Sequence, residues 1–209
     1  MSVSDIIESR GIDEVVHFTT HQGVVGVLDA RALRSRRRID SDARLAFILK
    51  RNAEFRKDRE WTDYVSLSIS EINRDFFEIS SGSWHRDVSW AILAFDPIIL
   101  THPGVYFVTT NNIYPSAIRG EGPHYLEKMF SRVVEGRYQN KITRPEDMDP
   151  ALPTDRQAEV LYPGQVSTEY LKRIYVDNES EQDNICAIME GVCHSPVDVI
   201  VDPNKFGKK

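Results

Sequence analysis

Glu159 is the residue whose type and setting most demand a chemical explanation. It lies inside Gln157-Ala158-Glu159-Val160-Leu161-Tyr162, a run that otherwise reads as a β-strand, and strand interiors are depleted in glutamate. Either it faces solvent from the wet side of a half-buried strand, or it is a carboxylate held rigidly in a cleft. His17 poses the same question among Val15, Val16 and Phe18, where a satisfied core histidine is the ordinary reading. Charge supplies the third feature. Residues 31–60 hold eleven Lys and Arg, among them Arg44, Arg51 and Arg56, against five acids, so this stretch carries +6 and the remainder −12. Such a cluster is either a solvated helix face or an anion site for a pyrophosphate or a phosphate backbone.

Other chemistries lack their residues. Neither G-x-G-x-x-G nor G-x-x-x-x-G-K-[ST] occurs, so a nucleotide would have to be held without a Rossmann or P-loop cradle. No G-x-S-x-G elbow is present, which removes the commonest covalent hydrolase arrangement. Cys186 and Cys193 lie seven apart on one face of a helical segment and cannot build a disulfide framework, which fits a reducing compartment. The Cys193-His194 pair lacks two further ligands at finger spacing, and His85, His102 and His124 lack metal spacing, so no metal is expected. Trp61, Tyr64, Trp84 and Trp90 have the chemistry to stack bases, but aromatics at this density usually build core.

The elements that would position these residues follow from periodicity. With 209 residues, 41% hydrophobic and 28% charged, the chain has the make-up of a globular protein, read as one domain over 1–209. No apolar run of 18 exists, and MSVSDIIESRGIDEV carries acids where a secretory signal would carry bases. A cytoplasmic protein without membrane attachment is expected. Residues 14–18 read as a strand, and Thr20 caps a helix with Val24, Val27 and Leu28 at helical spacing. Residues 44–58 form an amphipathic helix with a basic side. Strands are expected at 64–69, 88–95, 105–109, 157–162, 172–176 and 197–201. A helix is expected over 124–134, ended by Gly136, and 143–153 is an acidic, proline-bearing loop. Ile185, Ile188, Met189 and Val192 give the stripe of a last helix. About seven strands and four helices without regular alternation predict an α+β fold.

Taken in order, several of these pieces resemble one family. They are His17-Phe18-Thr19-Thr20 with Gly23 and Leu28, then Asp63-Tyr64-Val65, then Val105 to Asn112. The fourth is Arg156-Gln157-Ala158-Glu159-Val160-Leu161 followed by Tyr170-Leu171 and Ile174. Together they are similar to the DarT family of DNA-modifying ADP-ribosyltransferases, over about Val15 to Val176. The resemblance implies an ADP-ribosyltransferase core of two facing mixed β-sheets with flanking helices and NAD in the cleft. It also implies the toxin of a bacterial toxin-antitoxin pair, whose cognate antitoxin would hydrolyse ADP-ribosyl-DNA. The reaction would transfer ADP-ribose from NAD to a base of single-stranded DNA and release nicotinamide.

By position in the resemblance, Glu159 would be the catalytic glutamate, and His17 and Thr19 would touch the nicotinamide riboside. Arg51 would clamp NAD phosphate and serve catalysis, with Arg44 and Arg56 competing for that place. Asn112, Arg156 and Arg56 would meet the nucleic acid. Members that modify thymidine tend to carry histidine where this chain has Asn112, which leaves guanine and thymine both open as the target. The chemistry agrees with a glutamate. Cleaving the bond between nicotinamide and ribose passes through an oxocarbenium-like state, so a carboxylate bonded to the ribose 2′-hydroxyl gains strength as charge develops. The same carboxylate would take a proton from the base. A single strand suits the reaction because a paired base must first be flipped. Two alternatives stay open: an RNA or protein acceptor on the same core, or a non-catalytic module that docks single-stranded nucleic acid.

Overall fold

The computed structural model describes residues 1–41, 59–84 and 87–207. The expected basic helix over 44–58, with Arg44, Arg51 and Arg56, lies outside them. The chain opens with α1 (Val3–Arg10), held by a capping box between Ser2 and Asp5. β1 (Val15–Thr20) runs into α2 (His21–Ala30), and the Thr20 hydroxyl accepts from the Gly23 amide, as an N-cap should. Next come β2 (Ala32–Arg34), α3 (Arg36–Asp40), β3 (Tyr64–Ile69), α4 (Arg74–Ile79), β4 (Trp90–Phe95), β5 (Tyr106–Val108) and β6 (Arg119–Glu121). α5 (Pro123–Lys128), β7 (Val133–Glu135) and β8 (Lys141–Thr143) precede β9 (Glu159–Pro163) and β10 (Gln165–Ser167). The chain ends with β11 (Leu171–Val176), α6 (Glu179–Gly191) and β12 (Asp198–Val201).

Eight strands form one sheet in the order β12-β11-β4-β1-β3-β9-β5-β6, while β10 pairs β2 and β7 pairs β8. β11 and β12 run parallel and the other pairs antiparallel, so the fold is α+β with a mixed sheet. The sheet has a seam. β1 pairs with β4 along its whole length, Val15 to Thr20, but with β3 only at Val15 and Val16. Beyond Val16 the two strands part, so the two facing sheets implied by the resemblance are two halves of one strand order, joined at this short seam.

Alternation assigns the faces. Val15, Leu67, Ile69, Leu93, Phe95, Phe107, Val160 and Ile174 point to one side and bury a core shared with α1, α2, α5 and α6. The opposite face of the first half carries Val16, Ile92, Ala94 and Tyr175 under Phe77 and Phe206. The same face of the second half is mostly polar: register places Tyr64, Ser66, Ser68, Tyr106, Arg119 and Glu159 there, around the buried Val108 and Leu161.

The expected helix over 124–134 is corrected. It closes at Lys128, and Val133–Glu135 is instead the first strand of a hairpin with Lys141–Thr143. Leu126, Met129, Phe130 and Val134 are all buried, so their spacing imitates a helical stripe across a helix, a turn and a strand. The count of about seven strands and four helices also rises, to twelve strands and six α-helices among the described residues. Most of the additions are three-residue strands, too short to show a period.

Candidate active site

The seam between β1 and β3 is where the candidate residues meet. His17 follows the last residue of β1 that pairs with β3, and its Nδ1 lies 2.9 Å from the Ser66 carbonyl, so the ring bridges the parting strands. On the polar face, the Ser66 hydroxyl donates to Glu159 Oε1 at 3.1 Å. The other carboxylate oxygen, Oε2, accepts the Asn112 backbone N–H at 2.9 Å. Glu159 is thus half-buried at the start of β9 and gripped at both oxygens. Charge-assisted bonds of this kind fix a carboxylate in one orientation.

The loops on either side of Glu159 are tied together by Asp155, a buried acid. Its Oδ2 accepts from the Thr110 hydroxyl at 2.5 Å and its Oδ1 from the Gln157 amide at 2.8 Å. Tyr114 reaches across and donates to Gln157 Oε1 at 2.9 Å. Burial pushes the Tyr114 hydroxyl above its usual range, with Asp155 and Glu159 adding to the shift and Arg137 opposing it, so it stays a donor at neutral pH. Arg119 donates to the Asn112 carbonyl at 3.2 Å and lies 5.8 Å over the Trp61 ring. Trp61 in turn packs with Tyr64 and Tyr106, at ring distances of 4.9 and 5.2 Å, on the face that carries Glu159.

The structure therefore gathers Glu159, His17 and Asn112 into one hydrogen-bonded chain through Ser66. Thr19 lies two residues along β1, against α2: a Cβ added to Gly23 would stand 2.0 Å from the Thr19 hydroxyl. Arg156 is exposed beside a small cavity lined by Ser68, Ile72 and Asp155. Asn112 is 95% buried, with its amide Oδ1 lacking a hydrogen-bond partner. Its observed tie to Glu159 runs through the backbone instead. Arg44, Arg51 and Arg56 fall outside the described residues. Sequence reasoning passed over Ser66, Asp155 and Arg119. The alternation of Tyr64 to Ile69 already put Ser66 on a polar face, and Asp two residues before Gln157 is the signal of an Asx turn.

Trp90 packs with Phe18 and Phe77 at 5.7 and 5.5 Å, a core role. Cys186 and Cys193 are both exposed, and the His194 ring contacts Ser195 O and Thr168 Oγ1. Among the described residues no group of three or more His, Cys, Asp or Glu is placed to hold a metal, and no helix is long and apolar enough to cross a membrane.

Comparison with known proteins defines the class. The fold is that of the ADP-ribosyltransferases. The structure matches Thermus sp. 2.9 DarT in complex with NAD+ with a TM-score of 0.64 at 14% identity, covering 93% of this chain and 98% of that one. Thermus sp. 2.9 DarT in complex with ADP-ribosylated ssDNA matches with a TM-score of 0.64 at 13% identity, over 94% and 97%. Thermosipho africanus DarTG in complex with ADP-ribose matches with a TM-score of 0.57 at 15% identity, over 93% of this chain and 51% of that one. No curated protein sequence matches the chain. A family model, ssDNA thymidine ADP-ribosyltransferase, DarT, matches residues 16–207, and the chain belongs to that family.

Proposed function

We propose that this chain is a single catalytic domain that transfers ADP-ribose from NAD to a base of single-stranded DNA, with Glu159 as the catalytic carboxylate. The observation that carries the reading is the grip on Glu159: a hydroxyl from β3 and an amide from the β5–β6 loop hold both oxygens beside the seam that His17 bridges. Membership of the DarT family supports the substrate class. NAD supplies the ADP-ribosyl group. A parted strand pair with His17 and Thr19 on one lip suits the nicotinamide end of that molecule, where a ring nitrogen and a hydroxyl bond to amide and ribose groups. Arg51, with Arg44 and Arg56 nearby in sequence, is assigned to the pyrophosphate, because a planar guanidinium stays charged and binds in two-pronged fashion.

Glu159 has two tasks. Its carboxylate bonds a ribose hydroxyl and stabilises the positive charge that grows as nicotinamide departs, and it takes the proton lost by the attacking base nitrogen. Asn112 and Arg156, near Glu159 in space and in sequence respectively, are assigned to the DNA, and the target is thymine or guanine. The family supports an antitoxin partner that removes ADP-ribose from DNA, and action on DNA is consistent with a cytoplasmic site.

The test is incubation with NAD and four single-stranded oligonucleotides, each lacking one base type, followed by mass spectrometry. An ADP-ribose adduct missing from only one of them establishes the activity and names the base. Adducts on RNA or protein alone would redirect the assignment, and no adduct anywhere would overturn it.

A further inference from the structure

The turn joining β7 and β8 carries a largely exposed aromatic ring. Tyr138 is 79% exposed, at the tip of Gly136-Arg137-Tyr138-Gln139-Asn140. Arg137 covers one face of the ring, its guanidinium carbon 4.7 Å from the centroid, and donates to the Tyr138 hydroxyl at 2.9 Å. Tyr138 and Gln139 are both in the left-handed region, at φ 56° and 61°. Neither is glycine, so the turn keeps these side chains at a cost in backbone free energy, a pattern that concentrates at ligand sites.

The tip sits beside the catalytic loops. Ser116, four residues after Asn112, donates to the Gly136 carbonyl at 2.9 Å. A Cβ on Gly136 would stand 2.7 Å from Ile142 Cδ1 and 3.2 Å from Asp155 Oδ2, so the turn packs closely against Asp155. The Tyr114 hydroxyl lies within electrostatic reach of Arg137, Tyr138, Asp155 and Glu159 together. The hairpin is also locally basic within an acidic chain. Residues 132–144 hold Arg132, Arg137, Lys141 and Arg144 against Glu135, although Glu146 and Asp147 follow. Arg144 is occupied by the Leu152 and Asp149 carbonyls, whereas Arg132, Arg137 and Lys141 are exposed.

We infer that this turn is a seat for a nucleotide flanking the modified base: the base stacks on Tyr138, and Arg137 and its basic neighbours take the adjoining phosphates. The inference rests on the single-stranded DNA reading above. An aromatic ring backed by a guanidinium offers a base one clean face, and stacking of this kind tolerates any sequence. Positive charge along the hairpin complements the strand.

The test compares wild type with Tyr138→Ala, Tyr138→Trp and Arg137→Ala. The readouts are the KM for a single-stranded oligonucleotide, its affinity by fluorescence anisotropy, and NAD hydrolysis without DNA. Tyr138→Ala is expected to raise the KM and Kd for DNA about tenfold with NAD hydrolysis unchanged, and Tyr138→Trp to restore both. Arg137→Ala is expected to lower the slope of log affinity against log salt by about 1. Unchanged KM, Kd and salt slope in an active enzyme would overturn the inference while leaving the DNA reading intact. Loss of binding to a protein partner with DNA affinity retained would overturn it too, in favour of a protein-docking role. Inactive wild type would instead strike the parent reading, and anisotropy would still decide whether the turn holds DNA.

Discussion

The two halves of the sheet each carry a glutamate on or beside the seam strands, and the two are held in different ways. Glu14, just before β1, is 95% buried beneath the first half. Its Oε1 accepts from Lys205 Nζ and its Oε2 accepts from the Tyr175 hydroxyl at 2.7 Å, with Arg173 Nη1 3.8 Å away. Glu159, in the second half, is held by a hydroxyl and a backbone amide and remains half-exposed. A carboxylate locked to a cation under a covered face ties the C-terminal turn to β1 and β11. The Ser66 hydroxyl and the Asn112 amide orient the Glu159 carboxylate and leave it half-exposed. In a fold where both halves use the same strand geometry, cover on the outer face separates a buried carboxylate from a half-exposed one.

Breaking each carboxylate should therefore give opposite phenotypes. Glu159→Gln keeps the volume and removes the charge, so transfer should fall on the order of 10³-fold with the thermal midpoint nearly unchanged. Retained transfer would remove Glu159 from the mechanism. Glu14→Gln should leave turnover near wild type at low temperature but cost about 2–3 kcal/mol of stability. That is below a fully buried pair, because Lys205 keeps some exposure.

The same contrast has a pH signature. Burial works against the Lys205 ammonium, but the bond to Glu14, the Glu14 charge, Tyr175 and Asp202 together outweigh it and leave the pKa above 10.5. Burial, with Glu14 adding to it and Arg173 opposing, raises Tyr175 above 10.0. Both raised values mean stability that is complete below about pH 10 and is lost as pH climbs through the folded values. Denaturation midpoints measured from pH 8 to 11 should fall in wild type and fall less in Glu14→Gln; parallel curves would dissolve the pairing.

Ser66→Ala sharpens the comparison on the Glu159 side. It removes the hydroxyl that donates to Glu159 and leaves the carbonyl that His17 uses. Turnover should drop about tenfold, near 1.4 kcal/mol, with KM for NAD little changed. A stability loss without a change in turnover would mean that the Ser66 hydroxyl does not orient the carboxylate for turnover.

The parts legible in the sequence were those with a long period. Val15 to Thr20, the Thr20 cap and the alternation of Tyr64 to Ile69 state their structure locally, and Glu159 announced itself by being an acid in a strand. Three-residue strands such as β2, β6 and β10 carry no period, and the pairing of β2 with β10 joins segments far apart along the chain. The 124–134 stripe misled because burial in one core gives helix-like spacing to segments that are not helical. Ser66 and Asp155 were missed for a related reason: the local signals gave a polar face and an Asx turn, but the bonds to Glu159 and Thr110 join residues more than 40 apart, which no local pattern encodes.

The smallest expected effect concerns Thr19, and it divides two roles that the geometry leaves together. Thr19 packs against Gly23, where an added Cβ would meet the hydroxyl at 2.0 Å and the Thr19 Cβ at 3.2 Å. Gly23→Ala must therefore rotate the Thr19 side chain or shift α2 slightly, at a cost of about 1 kcal/mol. If Thr19 touches the nicotinamide riboside, the rotation should raise the KM for NAD a fewfold with turnover little affected, since the loss is of binding shared by ground and transition states. The paired variant Thr19→Ser keeps the hydroxyl and should hold the KM near wild type. Should Gly23→Ala lower only the thermal midpoint, Thr19 is a packing residue. The first lip of the seam would then offer NAD the His17 ring without the threonine.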